Sequence, residues 1–73
     1  MTDQNWHLGQ IKFFDNDKGF GFVKDVTNGQ DYFVHISALD DEIRDLETKE
    51  GLKVTFNTVE TPRGSNATDV SLE

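Results

Sequence analysis

Five short β-strands, closed into a small barrel or packed as a sandwich, are what this sequence predicts, and three observations carry the prediction. Short segments rich in β-branched and aromatic residues recur along the 73 residues, with turn-forming residues between them. Leu52, Val54 and Phe56 alternate with Lys53, Thr55 and Asn57, the period of a strand that buries one face. A single stretch has helical spacing instead, with apolar residues at 39, 43 and 46.

The elements follow in order. Residues 8–14 form the expected first strand, ended by the turn-rich Asp15-Asn16-Asp17. Residues 19–25 form the second. Asn28-Gly29 is the dipeptide that a two-residue type I′ hairpin prefers, so residues 30–36 return as the third strand. Residues 39–50 hold one helical or 3₁₀ turn within a long connection, and Gly51 ends it. Residues 52–57 make the fourth strand, Pro62-Arg63-Gly64-Ser65-Asn66 a loop, and residues 67–72 the fifth. Residues 1–7 read as an N-terminal extension and 8–71 as the domain. Leu72-Glu73 reads equally as native sequence or as the two-residue scar that some expression vectors leave.

Size and composition narrow the function. A chain this short buries only about 60% of the surface it exposes when unfolded, so a deep catalytic cleft between domains is excluded. It has no cysteine, hence no disulfide and no thiolate metal site. No apolar run approaches the roughly 18 residues that span a bilayer, and the expected setting is the cytoplasm, without membrane contact by this domain. Fourteen acids against seven bases leave a net charge of −7, which alone argues against a polyanionic partner, since phosphate neutralisation supplies much of such affinity. The distribution softens that argument. Residues 1–35 carry a net charge of −2 and residues 36–73 one of −5, while five of the six phenylalanines precede residue 34.

The densest signal is Lys18-Gly19-Phe20-Gly21-Phe22-Val23. Strand alternation puts Lys18, Phe20, Phe22 and Lys24 on one face and Gly19, Gly21 and Val23 on the other. If the rings were core, both lysines would point inward without partners, which is costly. The glycines therefore mark close backbone packing inside a tightly curved barrel, and the rings point outward. Outward rings framed by ammonium groups suit stacking of unpaired bases. On the third strand Asp31, Phe33, His35 and Ser37 share a face. Asp, His and Ser invite a catalytic-triad reading, but Asp31 and His35 stand about 13 Å apart along a strand, too far for the required hydrogen bond. In Lys12-Phe13-Phe14, plain alternation lets one ring join the outer face, and a bulge or bend would be needed to present both. Asp15-Asn16-Asp17 faintly suggests a calcium loop, but the twelfth position is Val26 rather than a bidentate acid.

Three segments, Gly9-Gln10-Ile11-Lys12-Phe13-Phe14-Asp15, Lys18-Gly19-Phe20-Gly21-Phe22-Val23 and Asp31-Tyr32-Phe33-Val34-His35-Ile36-Ser37-Ala38, together resemble the cold-shock domain family. Gly51-x-x-Val54-x-Phe56 and Arg63-Gly64-x-x-Ala67 extend the resemblance over about residues 8–71. It implies a five-stranded antiparallel OB-fold barrel that binds single-stranded RNA or DNA, as an RNA chaperone or gene-expression regulator, with no cofactor, no small-molecule substrate and no turnover. A monomer is expected. Carried over by position, the stacking residues would be Phe13, Phe14, Phe20, Phe22, Phe33 and His35, with Lys12, Lys18, Asp31 and Arg63 as polar contacts.

Three departures from the family pattern reduce the expected platform. Phe13 stands where the family usually has Trp, Ile36 where Phe is usual, and Ile43 where the long loop usually offers a further Phe. That loop carries a net charge of −4 between Asp40 and Glu50. Weaker binding than in a typical member is therefore expected. The competing reading is an OB-fold interaction module with reduced nucleic-acid affinity, its acidic loop serving a basic protein partner, in a longer and even membrane-anchored protein. Trp6 reads as a lid on one barrel end in preference to a base contact.

Overall fold

A computed structural model describes residues 6–73. Strands β1 (His7–Asp15), β2 (Phe20–Asp25), β3 (Asp31–His35), β4 (Lys53–Thr61) and β5 (Gly64–Leu72) close into a barrel with the order β1-β2-β3-β5-β4. Closure removes the unpaired edges that an open sheet would present. Four of the ladders are antiparallel. The seam between β3 and β5 is parallel and consists of the pair Phe33 and Asn66, a departure from the wholly antiparallel barrel expected.

The alternation seen in the sequence sets what is inside. Ile11, Val23, Val34, Val54, Phe56 and Val70 point into the barrel with essentially no exposure, together with Phe14, Tyr32, Leu39, Ile43 and Ala67. The glycines permit the tight curvature. A Cβ at Gly21 would fall against the Phe13 carbonyl and the Phe14 ring, so no larger residue fits where β2 crosses β1.

Two connections differ from expectation. Between β2 and β3 no two-residue type I′ turn forms, because that turn needs positive φ at both central residues and only Gly29 adopts it. The Asp25 carboxylate organises a longer turn instead. It accepts hydrogen bonds from the Thr27 and Asn28 amides at 2.7 and 3.3 Å, while the Gly29 amide donates to the Asp25 carbonyl at 2.8 Å. Asp25 is 1% exposed, and its other oxygen lies 2.7 Å from His7 Nδ1. Burial pushes this carboxyl up, but hydrogen bonds from His7, Thr27 and Asn28 and the His7 charge push it down further, and the net displacement is below the ordinary value of 3.8.

The fifth strand starts at Gly64, not at residue 67. Thr61 pairs with Gly64, so Pro62 and Arg63 alone turn the chain and the strands grow to nine residues each. The long connection between β3 and β4 holds a 3₁₀ turn (Ile36–Ala38) and a four-residue helix α1 (Asp41–Arg44) capped by the Asp40 side chain. Ile43 on α1 is fully buried, so it packs the barrel and is not available to a ligand.

Candidate nucleic-acid interface

The outer face of β1, β2 and β3 carries an aromatic cluster built by register. Phe22 pairs with Phe33 across β2 and β3, Phe20 pairs with His35, and Phe13 pairs with Phe22 across β1 and β2. Directly opposed residues share a face and touch. Phe20 and Phe33 accordingly stack at 5.7 Å between ring centroids, and Phe22 meets Phe33 edge-on at 6.1 Å. Phe13 and Phe22 are 42% and 40% exposed, whereas Phe20 and Phe33 are half-buried against each other.

A register shift between Ile11 and Phe13 decides which first-strand ring takes part. The bulge at Lys12 lets Lys12 and Phe13 both face out, and alternation then returns Phe14 to the interior. Phe14 is 8% exposed and belongs to the core cluster, with the Lys49 ammonium 5.4 Å from its ring centroid. The expectation that Phe14 stacks alongside Phe13 is therefore corrected: the bulge presents one ring of the two.

Polar groups border the rings. Lys18 and Lys24 are exposed. The Lys18 amide donates to the Asp15 carboxylate at 3.0 Å, as does that of Asp17 at 2.9 Å, so Asp15 serves the turn between β1 and β2. Lys12 Nζ lies 3.2 Å from an Asp31 oxygen, and both side chains are exposed. Such a pair stabilises the fold little, but it occupies one of the local cations. His35 Nδ1 accepts from the Ser37 amide at 3.1 Å, so in the neutral ring the proton sits on Nε2, which is left as a donor. Asp31 engages Lys12 rather than His35, and no Asp-His-Ser relay forms.

Beside Phe33, where β3 meets β5, a cleft of about 320 Å³ is lined by Phe33, Thr61, Arg63, Ser65 and Asn66. Arg63 thus reaches the aromatic face from the tight turn between β4 and β5. A larger cleft of about 570 Å³ lies elsewhere, walled by Trp6 with Ser37, Asp40, Asn57, Thr68 and Asp69 among its other lining residues. Trp6 is 46% exposed. It forms the wall of a groove that none of the clustered rings lines.

A closed five-stranded barrel with outward rings on its second and third strands is the geometry against which the chain compares with known proteins. Residues 7–73 match the model of the 'Cold-shock' DNA-binding domain. The chain belongs to the cold-shock domain family. Cold shock protein CspD of Bacillus subtilis is 46% identical over 63 residues, covering 85% of this chain and 91% of that protein. Cold shock-like protein CspA of Shewanella violacea is 42% identical over 71 residues, 96% of each chain. Among solved structures, drosophila Unr CSD456 superposes with a TM-score of 0.77 at 19% identity, over 97% of this chain and 28% of that longer one. That likeness establishes the fold. The cold-shock domain family is one of nucleic-acid-binding, non-enzymatic proteins, and among the described residues no helix is long and apolar enough to cross a membrane.

Two residues of this cold-shock domain that join the 40–50 segment to the turn between β1 and β2 escaped the sequence reading. Lys49 is 3% exposed, although it lies in an acidic, polar segment. Asn16 stood out only as a turn former. The available signal was weak: one of two bases among six acids, placed two residues before the glycine that ends the segment.

Proposed function

We propose that this domain binds single-stranded RNA or DNA by stacking unpaired bases on Phe13, Phe20, Phe22, Phe33 and His35, and acts on RNA as a chaperone that favours unpaired chain. The observation that carries the reading is the contiguous, solvent-facing contact of Phe20, Phe22 and Phe33, with exposed Lys18 and Lys24 at its margins. Each stacked base contributes about 1–3 kcal/mol, whatever its identity. The cleft beside Phe33 supports the reading further: a base on that ring would bring its edge to Arg63, Ser65 and Asn66, which offer donors and acceptors.

Titration with oligo-dT and oligo-U hexamers, followed residue by residue by NMR, tests this. Amides of residues 12–24 and 31–37 are expected to shift far more than those of 40–58. Shifts confined to the acidic segment, or none at millimolar oligonucleotide, would overturn the proposal. They would favour a second reading, an interaction module for a basic protein, which the exposed acids of residues 40–50 support.

A further inference from the structure

We infer that Lys49 and Asn16 are positioning residues: they clamp the acidic segment 40–50 against the margin of the aromatic face, so that it favours single strands over duplexes by charge. The inference rests on the nucleic-acid reading of that face. Lys49 Nζ donates to Asn16 Oδ1 at 2.7 Å and to the Leu46 carbonyl at 2.5 Å, and it lies over the Phe14 ring. Asn16 Nδ2 returns a hydrogen bond of 2.7 Å to the Glu47 carbonyl. A buried ammonium must have its protons satisfied, and among the described residues no carboxylate lies within ion-pair distance of this one. Its contacts are therefore the turn between β1 and β2, the segment's own backbone and a core ring, and they fasten the three together.

The fastening places charge. Asn16 belongs to the turn that carries Lys18 and leads into Phe20. Four residues separate the segment from the end of β3 at His35, and its start is held on β5, where the Asp40 amide donates to the Val70 carbonyl at 2.8 Å; just past its far end the Gly51 amide donates to the Ile11 carbonyl at 2.7 Å, next to the Lys12 bulge. The far half of the segment is thus tied to β1 and to the turn between β1 and β2, with Glu47 and Glu50 exposed beside the clamp. In water an acid and a phosphate about 10 Å apart weaken binding by about twofold. A duplex carries one charge per about 1.7 Å of axis, twice the density of one strand, so the same acids oppose it more strongly. Bases that stack compensate in the single strand and are unavailable in the duplex.

The test compares affinity for a dT hexamer and for a duplex of equal length, at low and high salt. Asn16→Ala opens the clamp without changing the charge of the chain. The double variant Glu47→Gln, Glu50→Gln removes two acids and leaves the clamp intact, since Glu47 contributes only its carbonyl to it. Both are expected to narrow the preference for single strand by about two- to fourfold at low salt, and neither at high salt, where the charges are screened. A role confined to stability would lower the melting temperature and leave the salt-dependent preference unchanged. That result for Asn16→Ala in a folded protein, or an unaltered preference in the charge variant should Asn16→Ala not fold, overturns the clamp. Wild-type protein that binds neither ligand overturns the reading of the face itself and, with it, this inference.

Discussion

Phe56 on β4 and Phe33 on β3 belong to the same closed barrel and experience opposite surroundings. Phe56 is fully buried, stacked on the His7 ring at 5.2 Å and tilted against Tyr32 at 5.6 Å. Phe33, one β3 residue beyond Tyr32, faces the other way, and its aromatic neighbours are Phe20 and Phe22. A strand that alternates inward and outward side chains carries a buried ring and an outward ring in adjacent positions, as Tyr32 and Phe33 do on β3. In a chain of 73 residues this economy matters, because every ring turned outward is apolar area withheld from a small core.

The largest effect expected from breaking this division is on the inside. Phe56→Ala should cost about 3–5 kcal/mol of stability, since it removes a whole buried ring and leaves a cavity beneath His7 and Tyr32. Chemical denaturation measures it. A loss below about 1 kcal/mol would mean that the two ring sets are not distinct in the way their burial implies.

Next in size is Asp25, the polar counterpart of that core. Asp25→Ala should cost about 2–3 kcal/mol, because the Thr27 and Asn28 amides and His7 together lose a charged acceptor. The pH dependence has a defined sign. A carboxyl whose folded value lies below its unfolded one contributes stability above the unfolded value and loses it as pH falls through the folded one. This contribution should therefore be intact above the ordinary value of 3.8 and decline below it. Denaturation midpoints for wild type and Asp25→Ala should converge on acidification through that range. Curves that stay parallel would show that the carboxylate charge is not what holds the turn.

On the outside the effect moves from folding to binding. Phe20→Ala or Phe33→Ala should weaken oligonucleotide binding by about 1–3 kcal/mol and change stability much less than Phe56→Ala does. Calorimetric titration paired with thermal melts separates the two. A collapse in stability of several kcal/mol would place these rings in the core and invert the comparison.

How much of this could be read before the structure depends on whether a residue's fate is local. Phe20 and Phe22 were readable because Lys18 and Lys24 share their face, and a strand's period is fixed by its backbone. Phe14 was not, because the bulge at Lys12 depends on how β1 fits around Gly21 of the neighbouring strand. The Asn28-Gly29 turn was misread because its dipeptide preference yielded to a buried carboxylate satisfied partly by His7, eighteen residues away. The burial of Ile43 was not legible, since helical spacing does not say which face of a four-residue helix meets the barrel. Lys49 carries its meaning only through Asn16, thirty-three positions earlier.

Salt dependence gives the smallest effect and the finest discrimination between the two kinds of contact on the outer face. Four bases can approach phosphates along it: Lys12, Lys18, Lys24 and Arg63. Each counterion released from a single strand adds about 0.7 to the slope of log K against log salt, so four free cations would give a magnitude just under 3. Lys12, however, already lies 3.2 Å from Asp31, and a phosphate that engages it must displace a carboxylate rather than a diffuse anion. The other three, unpaired among the described residues, give a slope of about 2. Stacking is barely screened, so binding should persist at physiological ionic strength with most of its free energy intact. Asp31→Asn releases Lys12 and should raise the slope by about 0.7 while leaving the aromatic contacts in place. Affinity measured across a salt series for both proteins decides the matter: a wild-type slope well above 3, or loss of all binding at moderate salt, would show that phosphate contacts dominate and that the outward rings contribute little.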